Sequence, residues 1–382
     1  MSSKEWPLHG GQAAPLLARF GLADDTPVLD ASANLNPLGP PTWLPNWVSA
    51  RLQGEGEALA RYPDPDYREA RESIAAREGV TSEQILLTNG GAEAIFLAVA
   101  LHAREFPAAP VAIVEPTFAE YARACAAHGL PATRLTLEPP DFRLDPEAVV
   151  AALGEARLLF LCRPNNPTGT LATKASVERL LELTAERGCR VVVDEAFIDF
   201  VGNETGRPTG GEALTPLLTR FEHLILLRSL TKHFTLPGLR LGYLLADRET
   251  VRHAAGCQPA WSVNGLAAAL VAPLLADRDF ANCTEAWLAT ERPRLQVGLG
   301  ALGLEVIPSR ANFFLMRHPR GREATRQLLP ALLRRGVLVR HTESFPGLDG
   351  GWLRLALGDA TTNARLLAAL AEVLREAEEG GS

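Results

Sequence analysis

Lysine is rare in this chain of 382 residues, and one lysine stands among residues that suggest chemistry. Of its 38 lysine and arginine residues, only Lys4, Lys174 and Lys232 are lysine. Lys232 lies between Ser229 and Arg240, at the end of a predicted buried strand. Burial disfavours an ammonium group, so its pKa should fall and leave a neutral amine that can attack an aldehyde. Because arginine cannot form an imine, the sequence indicates aldehyde chemistry at Lys232.

A carboxylate follows another predicted strand in the same way. Asp194 comes directly after the apolar run Val191 to Val193. A carboxylate is costly to bury unless it is paired. The protonated nitrogen of a heterocycle would offset that cost, whereas a helix N-cap or a salt bridge is the structural alternative.

Three further strand ends carry residues suited to a planar, phosphorylated ligand. Gly91 and Ala92 open a helix whose free N–H groups suit a phosphate, although a plain tight turn would also explain them. Phe118 could stack on a planar ring, or could simply be a core residue. Asn166 belongs to Asn-Asn-Pro-Thr-Gly, which is more specific than a rigid turn requires. Together with hydroxyl and guanidinium groups near Lys232, this order of residues predicts pyridoxal 5′-phosphate as cofactor.

The elements that position these residues follow from an alternation of apolar strands and helices. The predicted strands begin at Ile85 and include Leu158 to Cys162 and Gly242 to Leu245. Continuous apolar strands separated by helices indicate an α/β fold with a mostly parallel sheet, and ligands bind at the carboxyl ends of such strands. We predict a seven-stranded sheet in a large domain, plus a small α+β domain. The expected boundaries are 1–45 for an N-terminal arm that also forms part of the small domain, 46–275 for the large domain and 276–382 for the C-terminal small domain.

Composition excludes several classes of protein. A net charge of −7 gives no basic field for nucleic acid, and no apolar run is long enough to span a membrane. The start of the chain lacks the apolar core of a secretory signal. The five cysteines are scattered without a CxxC pair, so we expect reduced thiols in a cytoplasmic protein and predict no metal site.

Three strings of residues resemble the aspartate-aminotransferase superfamily of fold type I. They are NNPTG at 165–169, DEAFIDF at 194–200 and SLTKHFTLPGLRLGY at 229–243. The resemblance implies that Lys232 binds the cofactor aldehyde, Asp194 pairs with the ring nitrogen, Asn166 bonds the ring hydroxyl and Phe118 stacks on the ring. It implies further that the phosphate is surrounded by Gly91, Ala92, Ser229, Thr231 and Arg240.

The resemblance also implies a homodimer with shared active sites. Tyr62, in Arg-Tyr-Pro-Asp, resembles the tyrosine that reaches the cofactor phosphate of the neighbouring subunit. Arg354 resembles the arginine that grips an acid group of the substrate.

Two branches of the superfamily are candidates, the histidinol-phosphate aminotransferases and the threonine-phosphate decarboxylases of cobalamin biosynthesis. Four features resemble the decarboxylases: the His-Gly-Gly at 9–11, a phenylalanine at 197 where the aminotransferases carry tyrosine, and the strings PAWSVN at 259–264 and SFPGLD at 344–349. The expected reaction is decarboxylation of L-threonine O-3-phosphate to aminopropanol phosphate. Transamination of histidinol phosphate remains the alternative, and a non-catalytic protein of the same fold is a second one.

Decarboxylation would require that the substrate phosphate be held at a fixed place. We expect an anion pocket built from Arg340, Arg354, His9 and Asn34, together with Asn166. A planar guanidinium fork suits a phosphate. For Arg340 a structural ion pair remains open, and for His9 a packing role does.

Overall fold

The computed structural model describes residues 6–53, 57–202 and 211–379. The α-helices, in chain order, are α1 (Ala13–Arg19), α2 (Leu44–Gln53), α3 (Glu57–Ala60), α4 (Arg68–Glu78), α5 (Gly90–Glu105), α6 (Glu120–Ala127), α7 (Pro146–Ala151), α8 (Lys174–Glu186), α9 (Leu230–His233), α10 (Arg248–Ala255), α11 (Gly265–Ala276), α12 (Arg278–Ala301), α13 (Arg322–Arg334) and α14 (Ala360–Glu379). The strands are β1 (Leu29–Asp30), β2 (Ile85–Thr88), β3 (Val111–Glu115), β4 (Ala132–Thr136), β5 (Leu158–Cys162), β6 (Arg190–Asp194), β7 (Leu224–Ser229), β8 (Gly242–Leu245), β9 (Glu305–Val306), β10 (Phe313–Arg317), β11 (Val337–Leu338), β12 (Arg340–His341) and β13 (Leu353–Ala356).

Seven strands form one large sheet in the order β2-β8-β7-β6-β5-β3-β4. The pairs from β7 to β4 are parallel, whereas β8 runs antiparallel to both of its neighbours. Every residue of β5 and β7 is buried, as expected for strands covered by helices on both faces. The predicted α/β fold with a mostly parallel seven-stranded sheet is therefore confirmed.

The strand β4 at the sheet edge has no apolar run in the sequence. Of its five residues only Leu135 is buried, and the others are exposed. An edge strand with one covered position does not produce the continuous apolar pattern that identified the inner strands.

The small antiparallel sheet has the order β12-β13-β10-β9, and the N-terminal strand β1 pairs with β11 in a separate two-stranded ribbon. The neighbouring strands β11 and β12 thus belong to different sheets. In the small sheet Arg340 lies directly opposite Arg354 on β13. Because paired residues of antiparallel strands project from the same face, the two guanidinium groups lie on one side of this sheet.

The carboxyl ends of β2, β6 and β7 meet at one edge of the large sheet. β6 ends at Asp194, β7 ends at Ser229 and α5 starts two residues after β2. Several of the predicted site residues therefore lie at or next to these strand ends. In the described part of the chain, the helices do not combine the length and apolarity needed to cross a bilayer.

Candidate active site

A cavity of about 240 Å³ lies where the large sheet, the small sheet and the N-terminal segment meet. Its lining brings together nearly all the residues that the sequence singled out: His9, Asn34, Gly91, Ala92, Phe118, Asn166, Asp194, Ser229, Thr231, Lys232, Arg240, Arg340 and Arg354. Of the predicted site residues, Tyr62 alone is missing from this lining.

Lys232 lies in the short helix α9, directly after the buried end of β7. The pKa of its amine is lowered to about 8, mainly by burial and also by the charges of Arg354 and Arg240, against the opposing effect of Asp194. Lys174, by contrast, donates to the carbonyl of Gly211 at 3.3 Å and does not line the cavity. A neutral amine is thus accessible near neutral pH at Lys232, as a nucleophile toward an aldehyde requires.

Asp194 ends β6 on the cavity floor and is almost fully buried. Its Oδ2 accepts a hydrogen bond from the Tyr121 hydroxyl at 2.7 Å, and its Oδ1 accepts from the Ala196 N–H at 2.9 Å. Burial raises the pKa of Asp194, while these two bonds oppose that rise. Among the described residues Asp194 has no ion pair, so a protonated ring nitrogen would supply the missing cation.

The N-terminus of α5 forms a cradle suited to a phosphate. Gly90 has a φ of +78°, and a side chain there would collide with the guanidinium of Arg240. The glycine therefore lets Arg240 lie against the helix start, beside the N–H groups of Gly91 and Ala92. Ser229 and Thr231 line the same end of the cavity.

The two adjacent asparagines of the NNPTG string have different roles. Asn165 donates to the Pro116 carbonyl at 3.0 Å and to Thr168 Oγ1 at 2.9 Å, so it holds the turn. Asn166 lines the cavity, and its Oδ1 accepts from Arg354 at 2.5 Å. This bond leaves the Asn166 amide N–H₂ to donate to a ligand in the cavity, which Phe118 also lines.

Arg340 and Arg354 line the cavity and are buried, at 2% and 6% exposure. Arg354 also donates to the Ser32 carbonyl at 2.7 Å. Arg340 donates to the carbonyls of Pro7 at 2.9 Å and Leu8 at 2.7 Å. Among the described residues neither arginine forms an ion pair, and burial lowers the pKa of Arg340 to about 10 and that of Arg354 to about 9.

The other two predicted anion-pocket residues differ in how far they are engaged. Asn34 is buried, and its Oδ1 has no hydrogen-bond partner in the described part of the structure. His9 lies 3.1 Å from Glu120 through its Nε2, and its ring is 5.8 Å from the Phe118 ring. His9 thus lines the cavity while a carboxylate already holds it.

Tyr62 lies outside the cavity of its own chain. Its side chain is 79% exposed, and its ring stacks on that of Trp261 at a centroid distance of 4.4 Å. The role of Tyr62 toward a second subunit stays a prediction.

Sequence reasoning missed Tyr121, the partner of Asp194. It lies on α6 rather than at a strand end, so the rule that identified the other residues did not reach it. The scarcity of tyrosine could have drawn attention to Tyr121, since the chain has only 4 tyrosines. The scarcity of lysine drew attention to Lys232 in the same way.

The residues present fit pyridoxal 5′-phosphate. Backbone and guanidinium donors would hold the phosphate, Asp194 would pair with the ring nitrogen and Lys232 would bind the aldehyde. The orphaned Oδ1 of Asn34 and the unpaired carboxylate of Asp194 are further signs of a polar ligand in this cavity.

Comparison with known proteins agrees with this site. A profile of the family "Aminotransferase class I and II" matches residues 26–370. The chain is 37% identical over 370 residues to threonine-phosphate decarboxylase of Salmonella typhimurium, covering 96% of each protein. It is 33% identical over 361 residues to histidinol-phosphate aminotransferase of Methanothermobacter thermautotrophicus, covering 93% of this chain and 91% of that protein.

Among solved structures, histidinol-phosphate aminotransferase from Clostridium acetobutylicum superimposes with a TM-score of 0.82 at 28% identity. The match covers 91% of this chain and 100% of that chain. The predicted superfamily and fold type are thereby confirmed. The chain belongs to the class I and II aminotransferase family, and its cofactor, as the sequence predicts, is pyridoxal 5′-phosphate.

Proposed function

We propose that this protein decarboxylates L-threonine O-3-phosphate to (R)-1-aminopropan-2-yl phosphate in cytoplasmic cobalamin biosynthesis. The observation that carries the proposal is the pair of buried arginines, Arg340 and Arg354, which lack a carboxylate partner among the described residues and face the cavity with Lys232. Buried cations without a protein counter-ion indicate an anionic ligand. The 37% identity to a threonine-phosphate decarboxylase supports a substrate that carries a phosphate as well as a carboxylate.

The two arginines offer different numbers of free N–H groups to such a substrate. Arg354 uses two of its five N–H groups, for Asn166 and the Ser32 carbonyl, and its Nε has no partner in the described structure. The terminal nitrogens of Arg340 contact four acceptors instead: Pro7 O, Leu8 O, Ser344 Oγ and His341 Nε2. Arg354 is therefore the principal anion ligand, and the substrate binds Arg340 by replacing one of these four acceptors.

Stereoelectronic control then selects which bond breaks. When bound, pyridoxal 5′-phosphate supplies an aldehyde that captures the substrate amine and a ring that accepts the electrons of the broken bond. The bond that breaks must stand perpendicular to the ring plane. By gripping the substrate phosphate, Arg354, Arg340 and Asn34 rotate the Cα–carboxylate bond into that orientation.

The chain's titratable residues manage the protons. Asp194 holds a proton on the ring nitrogen, because a charged carboxylate in a buried site favours a cation beside it. The Lys232 amine, whose pKa is lowered to about 8, returns a proton to Cα after carbon dioxide has left. Phe118 covers one face of the ring and limits access of water.

Phe197 supports the decarboxylase assignment. Its buried ring lines the cavity and packs edge-on against Phe313 at a centroid distance of 5.0 Å. A tyrosine here, as the resemblance implies for the aminotransferases, would place a hydroxyl near the ring oxygen. With phenylalanine, the Asn166 amide remains the donor to that oxygen.

We propose further that the active enzyme is a homodimer. The exposed pair of Tyr62 and Trp261 would be covered by the second subunit, and Tyr62 would reach the cofactor phosphate bound there. Aromatic rings that are exposed on a single chain are typical of protein interfaces.

Transamination of histidinol phosphate is the second candidate, favoured by the 33% identity and by the TM-score of 0.82 to proteins with that name. The two reactions differ in one requirement, because transamination needs an oxo acid as amino-group acceptor and decarboxylation does not.

The test is incubation of purified holoenzyme with L-threonine O-phosphate without oxo acid, while carbon dioxide and the phosphorylated amine are measured. Catalytic formation of both is expected, and Lys232→Ala should be folded but inactive, which also separates an enzyme from a non-catalytic protein of this fold. Absence of both products, with turnover of histidinol phosphate and 2-oxoglutarate, would contradict the proposal.

A further inference from the structure

We infer that Tyr121 is a positioning residue that holds Asp194 ionised and oriented toward the ring nitrogen of the cofactor. The inference concerns the cofactor end of the site, so it applies to a decarboxylase and to an aminotransferase alike. It starts from the hydrogen bond of 2.7 Å from the Tyr121 hydroxyl to Asp194 Oδ2.

Asp194 is a group whose charge the fold opposes. It is 7% exposed, and burial favours its neutral form. Its other oxygen is already occupied by the backbone N–H of Ala196 at 2.9 Å. In the described structure the Tyr121 hydroxyl is thus the side-chain donor that stabilises the charged carboxylate, and the carboxylate must be charged to keep a proton on the ring nitrogen.

The Tyr121 hydroxyl keeps its proton and therefore remains a hydrogen-bond donor. Its side chain is fully buried, and burial raises the pKa of its phenol well above the usual value, so it stays protonated over the working range of pH. A neutral phenol beside a carboxylate can only donate its proton into the bond.

The ring of Tyr121 is fixed by two aromatic neighbours. It stacks on Phe160 of β5 at a centroid distance of 4.8 Å with an interplanar angle of 10°. It meets Phe118 edge-on at 6.1 Å and 85°. Phe118 is also the residue that we expect to stack on the cofactor ring. The short segment that holds Phe118 and Tyr121 therefore fixes both the stacking contact and the position of the Asp194 carboxylate. Tyr121 thereby couples the two contacts that orient the cofactor.

The test is Tyr121→Phe in the holoenzyme, with Tyr243→Phe as the matched control. Tyr243 is also fully buried and donates to a buried carboxylate, Glu78, at 2.7 Å, but it lies outside the cavity lining. Both variants lose one hydroxyl and keep the ring, so their packing costs are alike. The readouts are the pH midpoint of the absorbance change of the bound cofactor and the dissociation constant of pyridoxal 5′-phosphate.

For Tyr121→Phe we expect the midpoint to rise by about one pH unit and the cofactor to bind about tenfold more weakly. The midpoint rises because Asp194, having lost a donor, draws the proton from the ring nitrogen. A neutral ring withdraws fewer electrons, so a group conjugated with it keeps its proton to higher pH. Tyr243→Phe should leave both values as in the parent protein while lowering thermal stability.

An unshifted midpoint in folded Tyr121→Phe would overturn the inference, as would equal shifts in both variants. If Tyr121→Phe does not fold, a fluorotyrosine introduced at position 121 keeps the packing and makes the phenol a stronger donor. The midpoint must then fall, and a constant or rising value rejects the role of Tyr121. None of these readouts depends on which substrate the enzyme uses.

Discussion

Among the described residues, fully buried arginines occur at two places, which differ in what faces the guanidinium group. At the carboxyl ends of β5, β6 and β7 lies an ion-pair network that joins the buried side chains of Glu78, Arg163, Glu195 and Arg228 to the partly exposed Glu212. Within it Arg228 contacts both Glu195 and Glu78, the latter at 3.2 Å, and Arg163 contacts Glu195 at 3.1 Å. On the small sheet, the arginine pair of Arg340 and Arg354 contacts carbonyl, amide, hydroxyl and imidazole groups, and no carboxylate among the described residues.

The pKa values move in opposite directions at the two places. Burial alone would lower the pKa of Arg228, but Glu195 and Glu78 outweigh it and the pKa is raised. For Arg354, burial is joined by the charge of Arg340, and the pKa falls to about 9. In the network the arginine charges are balanced by glutamates, which stabilises the fold. The arginine pair faces no carboxylate among the described residues, so its positive charge remains available for a ligand.

The largest effect is expected where the network is broken. Arg228→Leu would leave Glu78 and Glu195 buried without their counter-ion, and we expect a loss of about 3–5 kcal/mol in the free energy of unfolding. Urea unfolding of the cofactor-free protein measures it. The control is Arg220→Leu, because the exposed pair of Arg220 and Glu178 should contribute less than about 1 kcal/mol. Equal losses in both variants would contradict the larger contribution to stability that we expect from the network.

At the arginine pair the expected effect is on catalysis. Arg354→Leu removes charge-assisted bonds to the substrate anion, so kcat/KM should fall about 100- to 1000-fold. The free energy of unfolding should change by less than about 1 kcal/mol, because loss of an uncompensated buried charge offsets the lost hydrogen bonds. Steady-state kinetics and urea unfolding give the two numbers.

A suitable control is Arg317→Leu in the same sheet, whose partner Glu305 lies at 2.6 Å near the surface. It should change neither quantity strongly. If Arg354→Leu unfolds the protein but spares kcat/KM, the division between the two arginine groups is wrong.

The pH dependence of stability should separate the two places as well. The network lowers the pKa of Glu78 from 4.5 to about 2, since Arg228 and Arg77 outweigh the effect of burial. A lowered pKa stabilises the fold above pH 4.5, and about 3 kcal/mol should be lost as the pH falls from 4.5 to about 2. Glu78→Gln should flatten this acid limb in unfolding experiments at a series of pH values.

Lys232 beside the arginine pair affects stability in the alkaline range, and at neutral pH its lowered pKa costs stability whereas that of Glu78 adds stability. Its pKa falls from 10.5 to about 8, so the unfolded chain binds more protons between these values. The cofactor-free protein should therefore gain stability from Lys232 as the pH rises from about 8 to 10.5. Lys232→Met should remove this gain, and an unchanged alkaline slope would contradict the buried position of the amine.

The smallest effect is expected from a simple anion. In the holoenzyme the cofactor fills its own phosphate cradle, so added inorganic phosphate should bind at the arginine pair. At about 100 times its dissociation constant it should stabilise the protein by about 2.7 kcal/mol. Thermal unfolding would detect this as a rise in Tm that sodium chloride of equal ionic strength does not reproduce. The rise should disappear in Arg354→Leu, and its persistence there would place the anion elsewhere.

The cofactor end of the site was largely predictable from sequence because one geometrical rule governs it. In a parallel sheet the carboxyl ends of strands meet at one edge, so Asp194, Ser229 and Lys232 could be placed together without coordinates. The inner strands were predictable for a related reason, as burial on both faces leaves continuous apolar runs such as that of β5.

Other features depend on contacts between distant segments and leave little trace in the sequence. The bond of His9 to Glu120 and that of Tyr121 to Asp194 arise from how α6 packs, and local pattern does not encode them. Whether a buried arginine faces a carboxylate or a carbonyl, as with Arg228 and Arg340, is likewise a property of the assembled fold. The edge strand β4 was missed because a strand with one buried residue resembles a loop.

The sequence separations in the two arginine groups have a consequence for synthesis of the protein on the ribosome. Arg228 is 33 positions from Glu195 and 150 from Glu78, so the network can close once residue 228 of 382 has emerged. Arg340 bonds Pro7 across 333 positions, and Arg354 bonds Ser32 across 322. The N-terminal segment can therefore contact the arginine pair only when nearly the whole chain has been synthesised. The growing polypeptide can thus be stabilised by the network long before the two arginines are held in place.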